Sequence, residues 1–262
     1  MLNRVGLSSV NQFAKRVLRI VTGDKLRIEI DGLVIQGPVA ASRILTQIAS
    51  GSYEAFELRL FTESLATGMV VVDVGANVGY YTLIAARVVG EQGRVFAFEP
   101  DPRTLAALST NVAANGLHNV TVIGKAASDG EGDCEMYLDS SANRSSLYRS
   151  ASLDRVTRRE RIETTRVDKV LGRLEADVVK MDIEGGEPAA LRGMRRSLKP
   201  ETVLFLEFAP PVLASAGTDA DEFRELLLDQ FASVEMIAGG RLLPFNAVTE
   251  WYTNLRCSGW RG

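Results

Sequence analysis

Val70-Val71-Val72-Asp73-Val74-Gly75-Ala76-Asn77-Val78-Gly79-Tyr80-Tyr81-Thr82 is the stretch that decides the fold. An apolar run broken by one acid suits a strand buried on both faces, and two glycines then release the chain into a stretch with helical apolar spacing. An α/β sheet uses such a turn to offer backbone N–H groups and a helix N-terminus to a nucleotide-like ligand. A dinucleotide site needs G-x-G-x-x-G, whose second glycine lets the backbone approach a pyrophosphate. Here the spacing is Gly75-x-x-x-Gly79, with Asn77 in that place, so a NAD-type oxidoreductase is disfavoured. Glu99 closes the next apolar run, Arg94 to Glu99. An ionised carboxylate offers two acceptor oxygens, which suits a ribose diol.

Outward from this turn, strand and helix patterns alternate. A helix over Tyr53 to Leu65 leads into the strand Met69 to Val74; a helix over Tyr81 to Val89, a strand to Glu99, a helix over Arg103 to Asn115 and a strand over Val120 to Lys125 follow. This predicts a parallel sheet. Short strands at Asp133 to Leu138 and Arg161 to Val167 then flank a polar, arginine-rich stretch, Ser140 to Glu160, read as an insertion over the site within about 133–167. Alternation resumes with the strand Asp177 to Asp182, a helix from Pro188, the strand Thr202 to Glu207 and a helix over Ala220 to Phe231. Strands at Ser233 to Ile237 and Trp251 to Arg256 complete seven. Upstream, Asn11 to Val21 has helical apolar spacing and Leu26 to Ile35 reads as a hairpin around Asp31-Gly32, giving an N-terminal cap over residues 1–52 on a domain of 53–262.

Composition narrows the class. The chain has 262 residues, 46% of them apolar, enough for one full core with additions. A net charge of −3 argues against a protein held mainly by nucleic-acid phosphates. No apolar run approaches the roughly 18 residues of a membrane span, and the first 24 residues lack a signal peptide's apolar core. A cytoplasmic enzyme is the expectation. Cys134 and Cys257 lack C-x-x-C spacing, and the single histidine, His118, has no metal-binding companion, so no metal site is expected.

A second cluster, Val178-Val179-Lys180-Met181-Asp182-Ile183-Glu184-Gly185-Gly186-Glu187, stands at the end of a later strand. D-x-G-x-x-x-G with an acid closing the next strand resembles the S-adenosylmethionine (SAM) site of Rossmann-like class I methyltransferases. With the second cluster added, the chain resembles the FkbM-type methyltransferases. Phe98-Glu99-Pro100, Asn111 and Asn115, and Lys180-x-Asp182-x-Glu184-Gly185 match that family's landmarks; Tyr53-Glu54 and Ser145-Ser146-Leu147 match weaker ones. The resemblance implies a mostly parallel sheet with a C-terminal antiparallel hairpin. It also implies SAM as cofactor and a small-molecule acceptor, a sugar or secondary metabolite methylated on oxygen.

The resemblance and the strand-end positions together assign the candidate residues. Asp73 would orient the methionine ammonium, Gly75 and Gly79 admit the ligand to the backbone, Asn77 serves the turn and Glu99 the ribose. The adenine would lie by Ala126, Ala127 and Ser128. Asp182 and Glu184, at i and i+2, would share one side of an extended chain and face the acceptor hydroxyl and the cofactor's amino-acid end. Both also suit a helix N-terminus. Methyl transfer from a sulfonium depends mainly on alignment, and a carboxylate can take the hydroxyl proton as the bond forms. Arg158 and Arg159 belong to an arginine cluster that is either a solvated, salt-bridged face or a subsite for an anionic acceptor. The rival from another class is a catalytically inactive SAM-binding partner protein. Neither the acceptor nor the oligomeric state is encoded in a recognisable motif.

Overall fold

The computed structural model describes residues 18–22, 25–139, 146, 156–246 and 252–262. The described residues begin with strands β1 (Leu18–Thr22), β2 (Lys25–Ile30) and β3 (Leu33–Pro38), then helices α1 (Ser42–Ser50) and α2 (Ala55–Glu63). β4 (Val70–Val74), α3 (Tyr80–Val89), β5 (Arg94–Phe98), α4 (Pro102–Ala114) and β6 (Val120–Ile123) form the first wound half. β7 (Ala126–Ala127), β8 (Gly132–Asp139) and β9 (Val156–Thr165) interrupt it. The second half comprises α5 (Val167–Leu171), β10 (Val178–Met181), α6 (Glu187–Arg192), β11 (Val203–Phe208), α7 (Pro210–Ser215), α8 (Ala220–Gln230), β12 (Phe231–Ala238), β13 (Arg241–Pro244) and β14 (Thr253–Trp260).

The central sheet runs β13-β12-β14-β11-β10-β4-β5-β6. β11, β10, β4, β5 and β6 are parallel, and β14 lies antiparallel between β11 and β12. From β4 the chain winds outward through β5 and β6, then crosses back to lay β10 and β11 on the other side. That reversal puts the switch point, and with it a crevice, at the carboxyl ends of β4, β5 and β10. Period-2 alternation sorts the two faces. Val71, Val95, Val178 and Phe205 pack with Phe61 and Tyr81 on one face, while Val72, Phe96, Val179, Met181 and Leu204 join Leu191, Leu213 and Leu227 on the other. Asp73 and Lys180 alternate with the first set, so their side chains are carried toward α2 and α3.

Among the described residues the sheet has eight strands rather than the expected seven, because Arg241–Pro244 turns back on β12 as an edge strand. Gly239 and Gly240, both at positive φ, form the two-residue turn that a right-twisted hairpin favours. The expected helix over Asn11 to Val21 also fails in part: Leu18–Thr22 is a strand paired with β2, while 11–17 lie outside the described residues. Ile20-Val21-Thr22 is a β-branched run, stiff at χ1, and fits a ladder better than a helix. The irregular stretch expected up to Glu160 is shorter, since β9 begins at Val156 and pairs with β8. Helices α1, α5 and α7 have no counterpart in the sequence reading.

The β2–β3 hairpin is fastened to the domain by two asparagines one helical turn apart, Asn111 on α4 and Asn115 capping its C-terminus. Asn111 accepts from Gln36 N–H (2.9 Å) and donates to the Gln36 and Val78 carbonyls (2.8 Å each). Asn115 accepts from Val34 N–H (2.9 Å) and donates to Val34 O (2.7 Å). At i and i+4 the two amides meet residues i and i+2 of β3, so α4 pairs with a strand edge as another strand would. Ile28, Ile35, Leu45 and Ile48 complete this docking against Val78, Leu83 and Ala107. Asn111 is fully buried, so Asn111→Ala leaves three backbone groups unpaired. We expect about 2–3 kcal/mol loss of stability in urea unfolding, and a smaller loss for Asn115→Ala.

Candidate active site

Three strand ends are brought together at the switch point. Gly75 and Ala76 N–H both donate to Phe98 O (3.0 Å), and Asp182 N–H donates to Val74 O (3.0 Å). Gly75 lies at φ +87°, and a Cβ there would stand 1.9 Å from Asp182 O. Gly79, at φ +94°, likewise faces Leu108, 2.7 Å from where its Cβ would be. Each glycine therefore answers both a left-handed backbone and a close approach.

The cleft above these ends has a volume of about 860 Å³, including its open mouth. Gly75, Asn77, Glu99, Ala126, Ala127, Asp182 and Glu184 all line it. Asp73 lines a smaller hollow beyond Gly75, together with Tyr81, Lys180 and Asp182. Ser128 is not among the lining residues; its N–H donates to Thr165 O (2.9 Å), and its carbonyl packs where a Cβ on Gly193 would be. Arg158 and Arg159 lie outside the cleft on β9, with side chains 71% and 56% exposed. Arg158 pairs with Glu160 (2.8 Å); Arg159 pairs with Glu135 (3.5 Å) and stacks over Tyr137. His118 lines a different surface hollow, Cys134 and Cys257 are free, and no metal-holding group of three ligands occurs among the described residues.

Glu99 is 6% exposed and held by the backbone, accepting from Asn77 N–H (2.7 Å) through Oε2 and from Asp101 N–H (2.8 Å) through Oε1. Thr104 also hydrogen-bonds this carboxylate, and two oxygens with about four lone-pair directions still leave room for a ligand hydroxyl. Burial pushes its pKa up to about 7, against the pull of those N–H groups. Asn77 sits at φ +52° and its own side chain accepts from Val78 N–H (2.8 Å). Asp73 accepts from Thr82 Oγ1 (2.5 Å), and burial raises it to about 6.

The extended geometry expected for Asp182 and Glu184 does not occur. Glu184 is at φ +53° and Gly185 at φ +102°, so the chain turns immediately after β10. Glu187 dictates this turn, accepting from Ile183 N–H and Gly185 N–H (2.9 Å each). Burial raises Glu187 to about 7. The two acids still reach the cleft, from the strand end and from the turn. Ser146, in the arginine-rich insertion, donates through Oγ to Glu184 O (2.7 Å) and bridges Tyr137 on β8, tying the insertion to the site.

Several residues at the site had no role assigned from sequence, although Lys180 and Tyr53 stood among the landmarks of the resemblance. Lys180 is 3% exposed, 3.1 Å from Glu57 Oε1 and 3.9 Å from Asp182 Oδ2, and lies over the Tyr81 ring. Burial opposes its charge, but Glu57, Glu54 and Asp182 outweigh that and hold Lys180 well above the ordinary lysine value. Glu57 is in turn bonded to Asn254 Nδ2 of β14. Glu207, at the end of β11, also lines the cleft, as do Tyr53 and Ile44 from the N-terminal side. A buried acid or lysine in an otherwise apolar run was the available signal for Lys180 and Glu207.

Residues 73–233 match the family model described as the methyltransferase FkbM domain, and the chain belongs to that family. The hexuronic acid methyltransferase AglP of Haloferax volcanii is 26% identical over 211 residues, 79% of this chain and 82% of that protein. A probable cobalt-precorrin-6B C(15)-methyltransferase (decarboxylating) of Sulfolobus acidocaldarius is 36% identical over 66 residues, 25% of this chain and 34% of its own. Among solved structures, M. jannaschii TYW2 in complex with AdoMet aligns at TM-score 0.50 and 16% identity over 93% of this chain and 89% of that one, a likeness of fold. The fold is that of the class I methyltransferases. The protein is a SAM-dependent methyltransferase with SAM as methyl donor.

Two outcomes follow from the buried carboxyls. Glu99→Ala should weaken calorimetric binding of SAM by about 1.5–3 kcal/mol, roughly 10- to 150-fold, with NAD unbound by either protein. Asp73, Glu99 and Glu187, raised to between about 6 and about 7 in the fold, hold protons there that the unfolded chain releases at ordinary carboxylate values. Their stabilisation is complete below the unfolded values and lost as pH rises through the folded ones. The ligand-free protein should therefore melt higher at pH 5.5 than at pH 8, measured by scanning calorimetry in matched ionic strength.

Proposed function

We propose that this protein transfers a methyl group from SAM to a hydroxyl oxygen of a sugar or related secondary metabolite. Its N-terminal 52 residues would act as a cap on the catalytic domain formed by 53–262. The observation that carries the reading is the position of Asp182, a half-exposed carboxylate at the end of β10 in the same cleft as the Glu99 cradle. The Haloferax relative, named for a hexuronic acid, supports a sugar as acceptor.

When bound, SAM supplies an electrophilic methyl on a sulfonium and departs as the neutral thioether. Glu99 would accept the two ribose hydroxyls, and Gly75 and Asn77 would let the ligand lie against the turn. Ala127 would flank the adenine, with Ser128 behind it. Asp73, beyond Gly75, suits the methionine ammonium. Asp182 would orient the acceptor hydroxyl and accept its proton as the oxygen–carbon bond forms and the carbon–sulfur bond breaks, with Glu184 beside it from the turn. Lys180, 3.9 Å away, would help hold the Asp182 side chain at the strand end. Arg158 and Arg159, ion-paired on β9 outside the cleft, would contribute only to a long acceptor that extends over the insertion.

Asp182→Asn keeps the size and one acceptor oxygen but loses the charge and basicity. On a methyl hexoside that the wild type methylates, kcat should fall about 10²–10⁴-fold while SAM affinity changes little. If the carboxylate only favours a helix start, turnover survives and stability falls by no more than about 1 kcal/mol. Turnover, SAM binding and melting measured on this one variant separate the two roles.

A further inference from the structure

Glu207 is a carboxylic acid at the end of a central strand, where burial favours an apolar side chain. Its Oε2 is buried without a hydrogen-bond partner among the described residues. Three buried carboxyls beside the site are satisfied, Glu99 and Glu187 by two backbone N–H groups each and Asp73 by Thr82, and Glu57, whose Oε1 also lacks a hydrogen bond, is ion-paired with Lys180 at 3.1 Å. An unpartnered buried polar atom in a folded protein needs an explanation. Here it coincides with the wall of the cleft, which Glu207 lines together with Asp182 and Glu184.

The ladder fixes how Glu207 stands to Asp182. β10 and β11 are parallel with Met181 opposite Leu206 as the last pair, so Asp182 and Glu207 are the next residues beyond it on the two chains. Both alternate with residues of the α2 face, Lys180 and Phe205, and so project to the same side. Asp182, Glu184, Glu187 and Lys180 are the charged groups that bear on Glu207. Burial first, and then the three acids, hold it well above the ordinary carboxylate range against the pull of Lys180. Beside Asp182 it offers a carboxyl that accepts a hydrogen bond and, when protonated, donates one.

We propose that Glu207 is an acceptor-binding residue, and that Asp182 and Glu207 together read a pair of neighbouring hydroxyls on the acceptor, so that the substrate is a vicinal diol. This rests on the methyl-transfer reading above and deepens it. One hydroxyl sits on Asp182 and is methylated. Its neighbour sits on Glu207 and supplies the partner that Oε2 lacks among the described residues. Adjacent oxygens of a sugar ring match side chains presented from adjacent strands. An acceptor without the second hydroxyl leaves the Glu207 carboxyl desolvated and unpaired, which is a strong basis for discrimination.

The test compares wild type, Glu207→Leu and Glu207→Gln with SAM and the methyl glycosides of glucose, galactose, mannose and glucuronic acid, each beside its monodeoxy analogues. Wild type should methylate at least one parent glycoside, and lose at least about tenfold in kcat/KM when the hydroxyl next to the methylated one is removed. Glu207→Leu should raise KM for the parent at least about tenfold and bring parent and deoxy analogue within about threefold of each other. Its SAM Kd should stay within about twofold of wild type. It should also melt roughly 2–4 °C higher, because an unsatisfied buried carboxyl has been replaced by a hydrocarbon. Glu207→Gln, which still donates and accepts, should retain discrimination. A Leu variant that melts lower or does not fold makes the carboxyl structural and overturns the inference. A Leu variant that binds SAM more than fivefold weaker moves Glu207 to the donor site, and unchanged discrimination removes it from the acceptor; either overturns the inference alone. If wild type methylates none of the glycosides, the sugar reading fails and this inference fails with it.

Discussion

The contact between the β4 turn and the end of β10 is the constraint on which the site depends. Asp182 donates its N–H to Val74 O, and its own carbonyl occupies the space a side chain at position 75 would need. Only glycine allows both, at a backbone conformation that other residues adopt at a penalty. Because the strand ends meet this closely, Glu99, Asp182 and Glu207 converge on one cleft from three strands. A larger residue at position 75 would push β10 away from β4 and disperse the donor and acceptor halves together.

The electrostatics of the cleft follow from how its acids are desolvated. The carboxyls of Asp73, Glu99, Glu187, Asp182 and Glu207 lie at or just behind the strand ends, with the buried Lys180 among them. A buried carboxylate is tolerable where N–H or O–H groups replace its water. Glu99 and Glu187 meet this condition while doing structural work: one closes the glycine turn, the other shapes the turn that carries Glu184. The same hydrogen bonds that pre-form the site are therefore the ones that hold it still. Glu207 differs because no described residue supplies a partner for its buried Oε2.

The N-terminal elements are tied into this arrangement. Asn111 binds both β3 and the Val78 carbonyl in the glycine turn, so docking of the hairpin and the geometry of the turn share one side chain. Ile44 of α1 and Tyr53, which precedes α2, then form part of the cleft wall. Lys180 extends the coupling from the sheet to α2 through Glu57, and to β14 through Asn254.

The sequence by itself determined the parts that rest on local chemistry. The valine run, the two glycines and the spacing to Glu99 gave the strand–turn–helix and the ligand end of the sheet, because left-handed turns and period-2 burial leave direct marks on residue type. The Asp182-to-Glu187 cluster was legible for the same reason, although its conformation was not: a turn stabilised by a carboxylate from the following helix looks, as a string of residues, like an extended strand end. Tertiary structure alone decided what depends on partners far away in the chain. The edge strand Arg241–Pro244 exists because β12 offers it a ladder, and Leu18–Thr22 is a strand because β2 does. Asn111 and Asn115 have a role only when β3 lies beside them. Glu207 reads as an ordinary strand residue until the β10–β11 register places it next to Asp182, since adjacency across a parallel crossover leaves no local trace in sequence.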